Sequence, residues 1–157
     1  MTPHIRPMIT ADLEAIITLA ESTPGAPHWP RGEYPKILAQ VQTGKVAAFA
    51  ALTDNQLIGF AITRLVLDIG QFESIVVDPA FHRRGIGGAL LNAILAWVRE
   101  CGVRRIELEV RESNTAAIAL YKANGFEQEG VRRSYYSAPA EDALLMSLSL
   151  NDLRKEK

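Results

Sequence analysis

The sequence predicts a mixed α/β fold, in which one sheet carries helices on both faces. Several segments have apolar residues at helical spacing, as in amphipathic helices. Other segments are apolar runs rich in β-branched residues and bounded by turn residues, as in strands. In the middle of the chain a strand, a helix and a strand follow one another, and this order implies a parallel pair of strands.

The N-terminal part is predicted to contain a strand, a helix, a loop and a second helix. Residues 4–8 resemble a short strand, and Thr10 is the predicted N-cap of a helix that ends near Ser22. Its apolar positions are Leu13, Ile16, Ile17 and Ala20. Four prolines and two glycines in residues 23–35 indicate a loop, which leads into a helix over residues 36–42.

The central part supplies most of the predicted sheet. Residues 46–52 and 57–67 are predicted to form an antiparallel hairpin across the turn TDNQ, and residues 71–77 form another strand. The helix that follows ends at Gly102 and precedes a strand over residues 104–110. Its apolar face comprises Leu90, Leu91, Ile94, Leu95 and Val98.

The C-terminal part is predicted to contain one helix and two strands. Asn114 is a good N-cap for a helix that stops in the sequence NGF near Asn124. Residues 126–132 and 143–150 are predicted strands. We therefore expect a single domain over residues 1–150, with residues 151–157 as a charged tail.

Composition excludes several classes of protein. With 17 basic and 18 acidic residues the net charge is −1, which argues against nucleic acid or an anionic membrane as a partner. Cys101 is the only cysteine, so no intramolecular disulfide can form and a reducing cytoplasm is the expected location. The N-terminal segment carries charged residues within its apolar part and resembles no signal peptide. The three histidines lack metal-ligand spacing, so no metal is expected.

The sequence VVDPAFHRRGIGGALL predicts an anion site. A glycine-rich turn at the start of a helix directs free backbone N–H groups outward, at the positive end of the helix dipole. The mononucleotide loop is excluded because no Gly-Lys-Ser/Thr ending is present. The dinucleotide fingerprint is excluded because Leu90 stands at its third small position and DPAFHRR separates the glycines from the strand.

The same segment resembles the pyrophosphate loop of the GNAT family of N-acetyltransferases, whose motif is Gln/Arg-x-x-Gly-x-Gly/Ala. The match is HRRGIG, with His82 in the place of Gln or Arg. The sequences LEVRESNTAAIALYKANGF and RRSYYSAPAEDALLM resemble the ribosomal-protein-alanine acetyltransferase branch of that family. The resemblance extends from about residue 5 to residue 150 and implies a mostly antiparallel sheet with a splayed parallel pair.

The resemblance implies acetyl-CoA as the co-substrate and indicates which residues bind it. The pyrophosphate is expected at the backbone of Arg83, Arg84, Gly85, Ile86, Gly87 and Gly88. The pantetheine arm is expected to lie along Ile75, Val76 and Val77 like an added strand. Asn114 is a further expected contact, in addition to its role as an N-cap.

Acetyl transfer to an amine needs a general base and a general acid. In IELEV the apolar residues share one strand face, which leaves Glu107 and Glu109 on the other. Spacing alone fits a solvated carboxylate at Glu109 equally well, and it fits a core aromatic at Tyr121. The resemblance implies that Glu109 is the base, through a water, and that Tyr121 is the acid. Cys101 is interpreted as buried and not acyl-carrying, since no histidine is close in sequence.

The acceptor site is predicted from aromatic residues in two segments. Trp29, Tyr135 and Tyr136 suit a groove for a peptide N-terminus; the alternative is that they only pack their loops. The resemblance implies a protein N-terminus as acceptor, with an alanine-starting ribosomal protein as the expected substrate and a monomeric enzyme. The alternatives are a small-molecule amine acetyltransferase and a catalytically idle CoA-binding sensor. The presence of both Glu109 and Tyr121 favours an enzyme.

Overall fold

The computed structural model describes residues 2–27, 29–137 and 139–150. Within these residues the chain forms seven strands and four α-helices. In chain order they are β1 His4–Pro7, α1 Leu13–Ser22, α2 Glu33–Val41, β2 Val46–Thr53, β3 Gln56–Val66, β4 Ile69–Val77, α3 Ile86–Glu100, β5 Arg105–Arg111, α4 Thr115–Ala123, β6 Glu127–Ser137 and β7 Ala140–Ser149.

The strands are hydrogen bonded in the order β1-β2-β3-β4-β5-β7-β6. The pairs β1–β2, β2–β3, β5–β7 and β6–β7 are antiparallel. Strands β4 and β5 are parallel, and Ile69–Phe72 pairs with Arg105–Leu108. The predicted mixed α/β sheet is therefore confirmed. It is mostly antiparallel, and its one parallel pair consists of the strands that precede and follow a helix in the chain.

Contacts within the chain cluster in two units. The first unit comprises the residues up to Leu65 together with Glu73–Trp97, and the second comprises Val66–Phe72 and the residues from Val98 onward. The boundary falls within β3, β4 and α3, so each unit contains part of these three elements.

Helices cover both faces of the sheet in the first unit. Phe60 and Ile62 of β3 belong to one apolar cluster with residues of α1 and α2. Gly59 points to the opposite face, since a Cβ atom built on it lies 3.3 Å from Cδ1 of Leu90 in α3. The alternation along β3 thus gives α1 and α2 one face and α3 the other.

The second unit has its core along β5 and β7. Ile106, Leu108 and Val110 of β5 are buried, as the alternation in the sequence predicts. Tyr121 of α4 packs its ring on Phe72 at 5.9 Å. These contacts hold α4 on the apolar core of this unit.

Four predicted boundaries were clearly wrong. Thr10 begins a short 3₁₀ turn and does not cap α1, because the Asp12 carboxylate accepts a hydrogen bond from the Ile9 amide at 2.8 Å there. Helix α2 begins at Glu33 instead of residue 36, since Pro35 is tolerated in a first helical turn. The last hairpin is longer than predicted at both inner ends, β6 reaching Ser137 and β7 starting at Ala140. The predicted tail, 151–157, lies outside the described residues.

Candidate active site

The predicted phosphate loop lies in the first unit, between β4 and α3. Gly85 has φ of +80°, and its carbonyl accepts the first helical hydrogen bond from the Ala89 amide at 3.0 Å. The N–H groups of the first turn therefore have no acceptor within the helix. Arg83 has φ of +64° and is exposed, like Arg84 and Gly85. The loop presents backbone donors and two cationic side chains to solvent.

His82 is bound to the strand that precedes the loop. Its Nε2 lies 2.9 Å from the Val77 carbonyl oxygen. Because a carbonyl only accepts, Nε2 must carry the proton in this contact. The side chain thus ties the loop to the end of β4, and the Nδ1 atom is turned away from that bond.

The predicted pantetheine strand is the last part of β4. Val76 is 3% exposed and belongs to the apolar cluster with α1 and α2, whereas Ile75 and Val77 are half-buried. The Asp78 amide donates to the Ile58 carbonyl at 2.8 Å, which anchors the end of the strand on β3. Ser74, just before these residues, has a buried hydroxyl with no hydrogen-bond partner among the described residues.

The two carboxylates predicted on β5 have different surroundings. Both carboxylate oxygens of Glu107 have partners. Oε2 forms a salt bridge with Arg105 Nε at 3.0 Å, and Oε1 accepts a hydrogen bond from the Gln71 side-chain amide at 3.1 Å. Glu109 Oε1 accepts a hydrogen bond from the Tyr135 hydroxyl at 3.3 Å. Of the two, Glu107 is held in a salt bridge, and Glu109 faces an aromatic neighbour.

The second oxygen of Glu109 retains free hydrogen-bonding capacity. Oε2 is buried and forms no hydrogen bond with the described residues. Arg132 Nε lies 3.4 Å from it, outside hydrogen-bond alignment, so the two groups make a charge contact only. This oxygen can accept a proton or a hydrogen bond from an incoming group.

Tyr121, the predicted acid, is enclosed by aromatic rings. It is 5% exposed, and its ring packs on Phe72 at 5.9 Å and on Phe126 at 5.6 Å. Burial and, secondly, the neighbouring Tyr136 raise the pKa of its phenol above the ordinary value. At neutral pH the hydroxyl therefore stays protonated and can donate.

Asn114 caps α4 as predicted. Its Oδ1 accepts a hydrogen bond from the Ala117 amide at 3.2 Å. The side-chain nitrogen is not used in this cap. The predicted cofactor contact of Asn114 stays a prediction.

Tyr135 contacts Glu109 in the second unit, and Tyr136 packs on Tyr135. Their rings are 5.0 Å apart and nearly perpendicular, at 79°. The pKa of Tyr136 is raised by burial and then by Glu109, and the pKa of Tyr135 is raised by the same two causes in the same order. The structure thus brings the predicted base together with both predicted acceptor tyrosines.

The third predicted acceptor residue, Trp29, lies in the first unit. It is half-buried against the apolar cluster of α1 and α2, and its ring is 5.6 Å from that of Tyr34. Contact with an acceptor stays a prediction for this residue.

Cys101 is exposed, in the turn after α3, so the expectation that it is buried was wrong. The turn that ends a helix projects its residues toward solvent, and the sequence pattern does not show this. Residual burial and the neighbouring Glu100 raise the pKa of the thiol. A thiol with a raised pKa is a poor nucleophile, in agreement with the interpretation that Cys101 carries no acyl group.

Among residues 2–27, 29–137 and 139–150, no three His, Cys, Asp or Glu side chains are grouped in a way that could hold a metal ion. No helix in the described part of the chain has the length and apolar character needed to span a bilayer.

Two arginines near the predicted base were not identified from the sequence. Arg111 places its guanidinium 4.2 Å from the Tyr136 ring. It follows Glu107 and Glu109 at two-residue spacing along β5 and so shares their strand face, and this spacing could have indicated it. Arg132 reaches Glu109 from β6, and no local pattern indicates that contact.

Comparison with known proteins gives concordant results. The sequence model of the Acetyltransferase (GNAT) family matches residues 13–126. Over 118 residues the chain is 39% identical to the ribosomal protein bS18-alanine N-acetyltransferase of Escherichia coli strain K12, covering 74% of this chain and 80% of the relative.

Solved structures agree with the sequence match. The crystal structure of the ribosomal-protein-S18-alanine N-acetyltransferase from Escherichia coli has a TM-score of 0.83 at 34% identity, over 95% of this chain and 94% of that chain. The PaiA N-acetyltransferase from Thermoplasma acidophilum, in complex with coenzyme A, has a TM-score of 0.79 at 19% identity, over 95% and 99%. The latter similarity concerns the fold.

Proposed function

This chain belongs to the GNAT family of acetyltransferases and is an acyltransferase. From this premise we propose that it moves the acetyl group of acetyl-CoA directly to the N-terminal α-amine of a protein. The expected acceptor is an alanine-starting ribosomal protein, since the relative that is 39% identical over 118 residues and the solved structure at 34% identity bear names for that activity.

The observation that carries the proposal is the surroundings of Glu109. Its Oε2 is buried and forms no hydrogen bond with the described residues, its Oε1 accepts from Tyr135, and the Tyr136 ring packs on that of Tyr135. An ammonium group must lose a proton before its nitrogen can attack a thioester carbonyl. A carboxylate oxygen with free capacity is suited to accept that proton, directly or through a water.

Tyr121 is proposed as the group that protonates the leaving sulfur. As the C–N bond forms and the C–S bond breaks, the thiolate needs a proton. The raised pKa keeps the Tyr121 phenol protonated at neutral pH. The proposed acid and the proposed base both lie in the second unit.

The loop in the first unit fits the pyrophosphate of acetyl-CoA. It offers first-turn amides and the exposed Arg83 and Arg84, and neither arginine pairs with a carboxylate of the described residues. A Cβ atom at Gly85 meets nothing within 4 Å, so the space next to the backbone is open. Ile75–Val77, Arg83–Gly88 and Asn114 are the residues proposed to hold the co-substrate.

An α-amine suits a carboxylate base better than a lysine does. The α-amino group has an ordinary pKa of about 7.7–8.0, against about 10.4 for lysine. At cellular pH a peptide N-terminus therefore releases its proton to a carboxylate with little cost in free energy. An internal lysine holds its proton far more strongly. Tyr135 and Tyr136 are proposed to contact the first residues of the acceptor, and Trp29 is proposed as a further acceptor contact.

The experiment incubates the protein with acetyl-CoA and three acceptors, read by mass spectrometry. The acceptors are an unblocked peptide beginning with Ala, its N-blocked version with an internal lysine, and spermidine. We expect the unblocked peptide to have the highest kcat/KM. If spermidine or the internal lysine is preferred, the protein N-terminus is wrong as acceptor and only the acetyltransferase remains.

A matched pair of variants tests the base. Glu109→Gln should lower kcat about 100-fold or more without changing acetyl-CoA affinity. Glu107→Gln is the control, because it makes the same change on the same strand face at a carboxylate already held by Arg105. Full activity of Glu109→Gln, or equal losses in both variants, would exclude Glu109 as the base.

Direct transfer has its own test. The exposed Cys101 has a thiol with a raised pKa, so no acyl-enzyme is expected on it. Cys101→Ser should retain activity, and the intact mass of protein mixed with acetyl-CoA alone should be unchanged. A mass increase of one acetyl group that disappears in Cys101→Ser would contradict direct transfer.

A further inference from the structure

Strand β6 is interrupted by a bulge next to the candidate acceptor tyrosines. Its pairing with β7 passes from Arg132 opposite Ala143 to Tyr136 opposite Glu141, so residues 133–135 face the single residue Asp142. Ser134 has φ of +53°, a left-handed conformation that is uncommon for residues other than glycine. We call residues 133–135 the Ser134 bulge. Such bulges re-aim side chains and are frequent near active sites.

Asp142 holds this bulge from the opposite strand. Its Oδ1 accepts a hydrogen bond from the Ser134 amide at 2.7 Å, replacing the ladder bond that the bulge removes. Its Oδ2 lies 3.8 Å from Nη1 of the exposed Arg133. The Asp142 backbone carbonyl in turn accepts from the Glu112 amide at 3.1 Å, which anchors Asp142 next to the end of β5.

The bulge explains how the rings of two consecutive tyrosines lie next to each other. In a regular strand the side chains of residues 135 and 136 would point to opposite faces. Here the two rings are 5.0 Å apart, and the Tyr135 hydroxyl donates to Glu109 at 3.3 Å. Arg111 stacks on Tyr136 at 4.2 Å and so fixes the second ring.

We propose that Asp142 is a positioning residue for the acceptor peptide, acting through the Ser134 bulge to hold Tyr135 and Tyr136 against Glu109. The inference rests on the proposed N-terminal acetylation and specifies how its acceptor side is built. In this proposal Asp142 acts through its contacts with the Ser134 amide and Arg133 and not by touching the substrate. Its effect is on where the first residues of an unblocked peptide are held relative to the Glu109 carboxylate.

The kinetic test compares variants that lose the bulge with variants that keep it. Asp142→Ala removes the acceptor of the Ser134 amide, and Ser134→Val disfavours the left-handed backbone. Asp142→Asn keeps an acceptor oxygen, and Ser134→Gly keeps the backbone conformation without strain. Glu127→Ala, which removes an exposed carboxylate from the same strand, is the control.

We expect the first pair to raise KM for the Ala-peptide roughly tenfold, the factor corresponding to one lost hydrogen bond, with KM for acetyl-CoA unchanged. The second pair and the control should stay near the wild-type values. If Asp142→Ala leaves the peptide KM unchanged, or raises both KM values equally, the inference is wrong. If wild-type protein does not acetylate the peptide, the proposed function fails and the inference fails with it.

A second readout needs no substrate. Burial and the Glu109 carboxylate raise the pKa of Tyr135, so the ring carbon signals of ¹³C-labelled tyrosine report the contact during a pH titration. Tyr135→Phe assigns the signal. In Asp142→Ala the pKa of Tyr135 should return toward its ordinary value, whereas in Asp142→Asn it should stay raised. An unmoved titration in Asp142→Ala would show that Asp142 does not position Tyr135, whatever the acceptor of the enzyme is.

Discussion

Gly59→Ala should destabilise the protein, because β3 and β4 approach too closely there for a side chain. A Cβ atom at residue 59 lies 2.9 Å from the Val76 carbonyl oxygen and 3.3 Å from Cδ1 of Leu90. The leucine can rotate, but the carbonyl belongs to the backbone of β4, whose end is anchored by the Asp78–Ile58 hydrogen bond of 2.8 Å. The strand must therefore shift to admit the methyl group.

The size of the effect follows from two opposing terms. Overpacking a buried position costs about 1–3 kcal/mol. Replacing glycine by alanine also restricts the unfolded chain, which stabilises the folded protein by about 0.4–1 kcal/mol. The net loss is about 1–2 kcal/mol in the free energy of unfolding, and the corresponding fall in Tm is roughly 2–8 °C for a chain of this size. Because Val76 is in the proposed pantetheine strand, acetyl-CoA affinity should fall as well.

Urea unfolding and a thermal melt measure the stability, and calorimetry measures acetyl-CoA binding. Gly32→Ala is the control, since Gly32 has φ of −68° and a Cβ atom there meets nothing within 4 Å. It should leave stability unchanged or raise it by up to about 1 kcal/mol. If Gly59→Ala is as stable as Gly32→Ala, the close approach of β3 and β4 does not constrain this position and the reasoning is refuted.

Three further predictions concern the phosphate loop, the proposed acid and the part-buried ion pair of Arg6 and Asp12. Gly85→Val should lower acetyl-CoA affinity about tenfold or more by calorimetry, because a β-branched residue disfavours φ of +80°; unchanged affinity in the folded variant would exclude the loop. Tyr121→Phe should lower kcat about 100-fold without changing acetyl-CoA affinity, and an intact kcat would make Tyr121 a packing residue. Asp12→Asn should cost about 1–3 kcal/mol at pH 7 in urea unfolding. Burial opposes ionisation of Asp12, but hydrogen bonds from Arg6 and the Ile9 amide outweigh it and lower the pKa of the carboxyl. The Asp12 contribution is therefore complete above its ordinary pKa of about 3.9 and is lost as the pH falls through the lower folded value. A cost that persists in strong acid would contradict this account.

The sequence by itself determined the features that depend on neighbouring residues. The alternation of IELEV predicted that Glu109 lies opposite the buried face of β5, and the structure buries Ile106, Leu108 and Val110. The N-cap at Asn114 is also observed, since an Asn side chain reaches an amide only three residues away. These features follow from local geometry, because side-chain direction and capping are properties of one strand or one helical turn.

Only the tertiary structure decided which groups surround the proposed base. Tyr135 is 26 residues from Glu109 along the chain. The two meet because β5 and β6 both flank β7 in the sheet, which places their side chains within reach of each other. The Ser134 bulge then turns two consecutive tyrosines to one place, contrary to the alternation that a strand pattern predicts. The exposure of Cys101 was likewise not visible in the sequence. Strand order, bulges and solvent exposure depend on contacts between distant segments, and a pattern of adjacent residues does not specify those contacts.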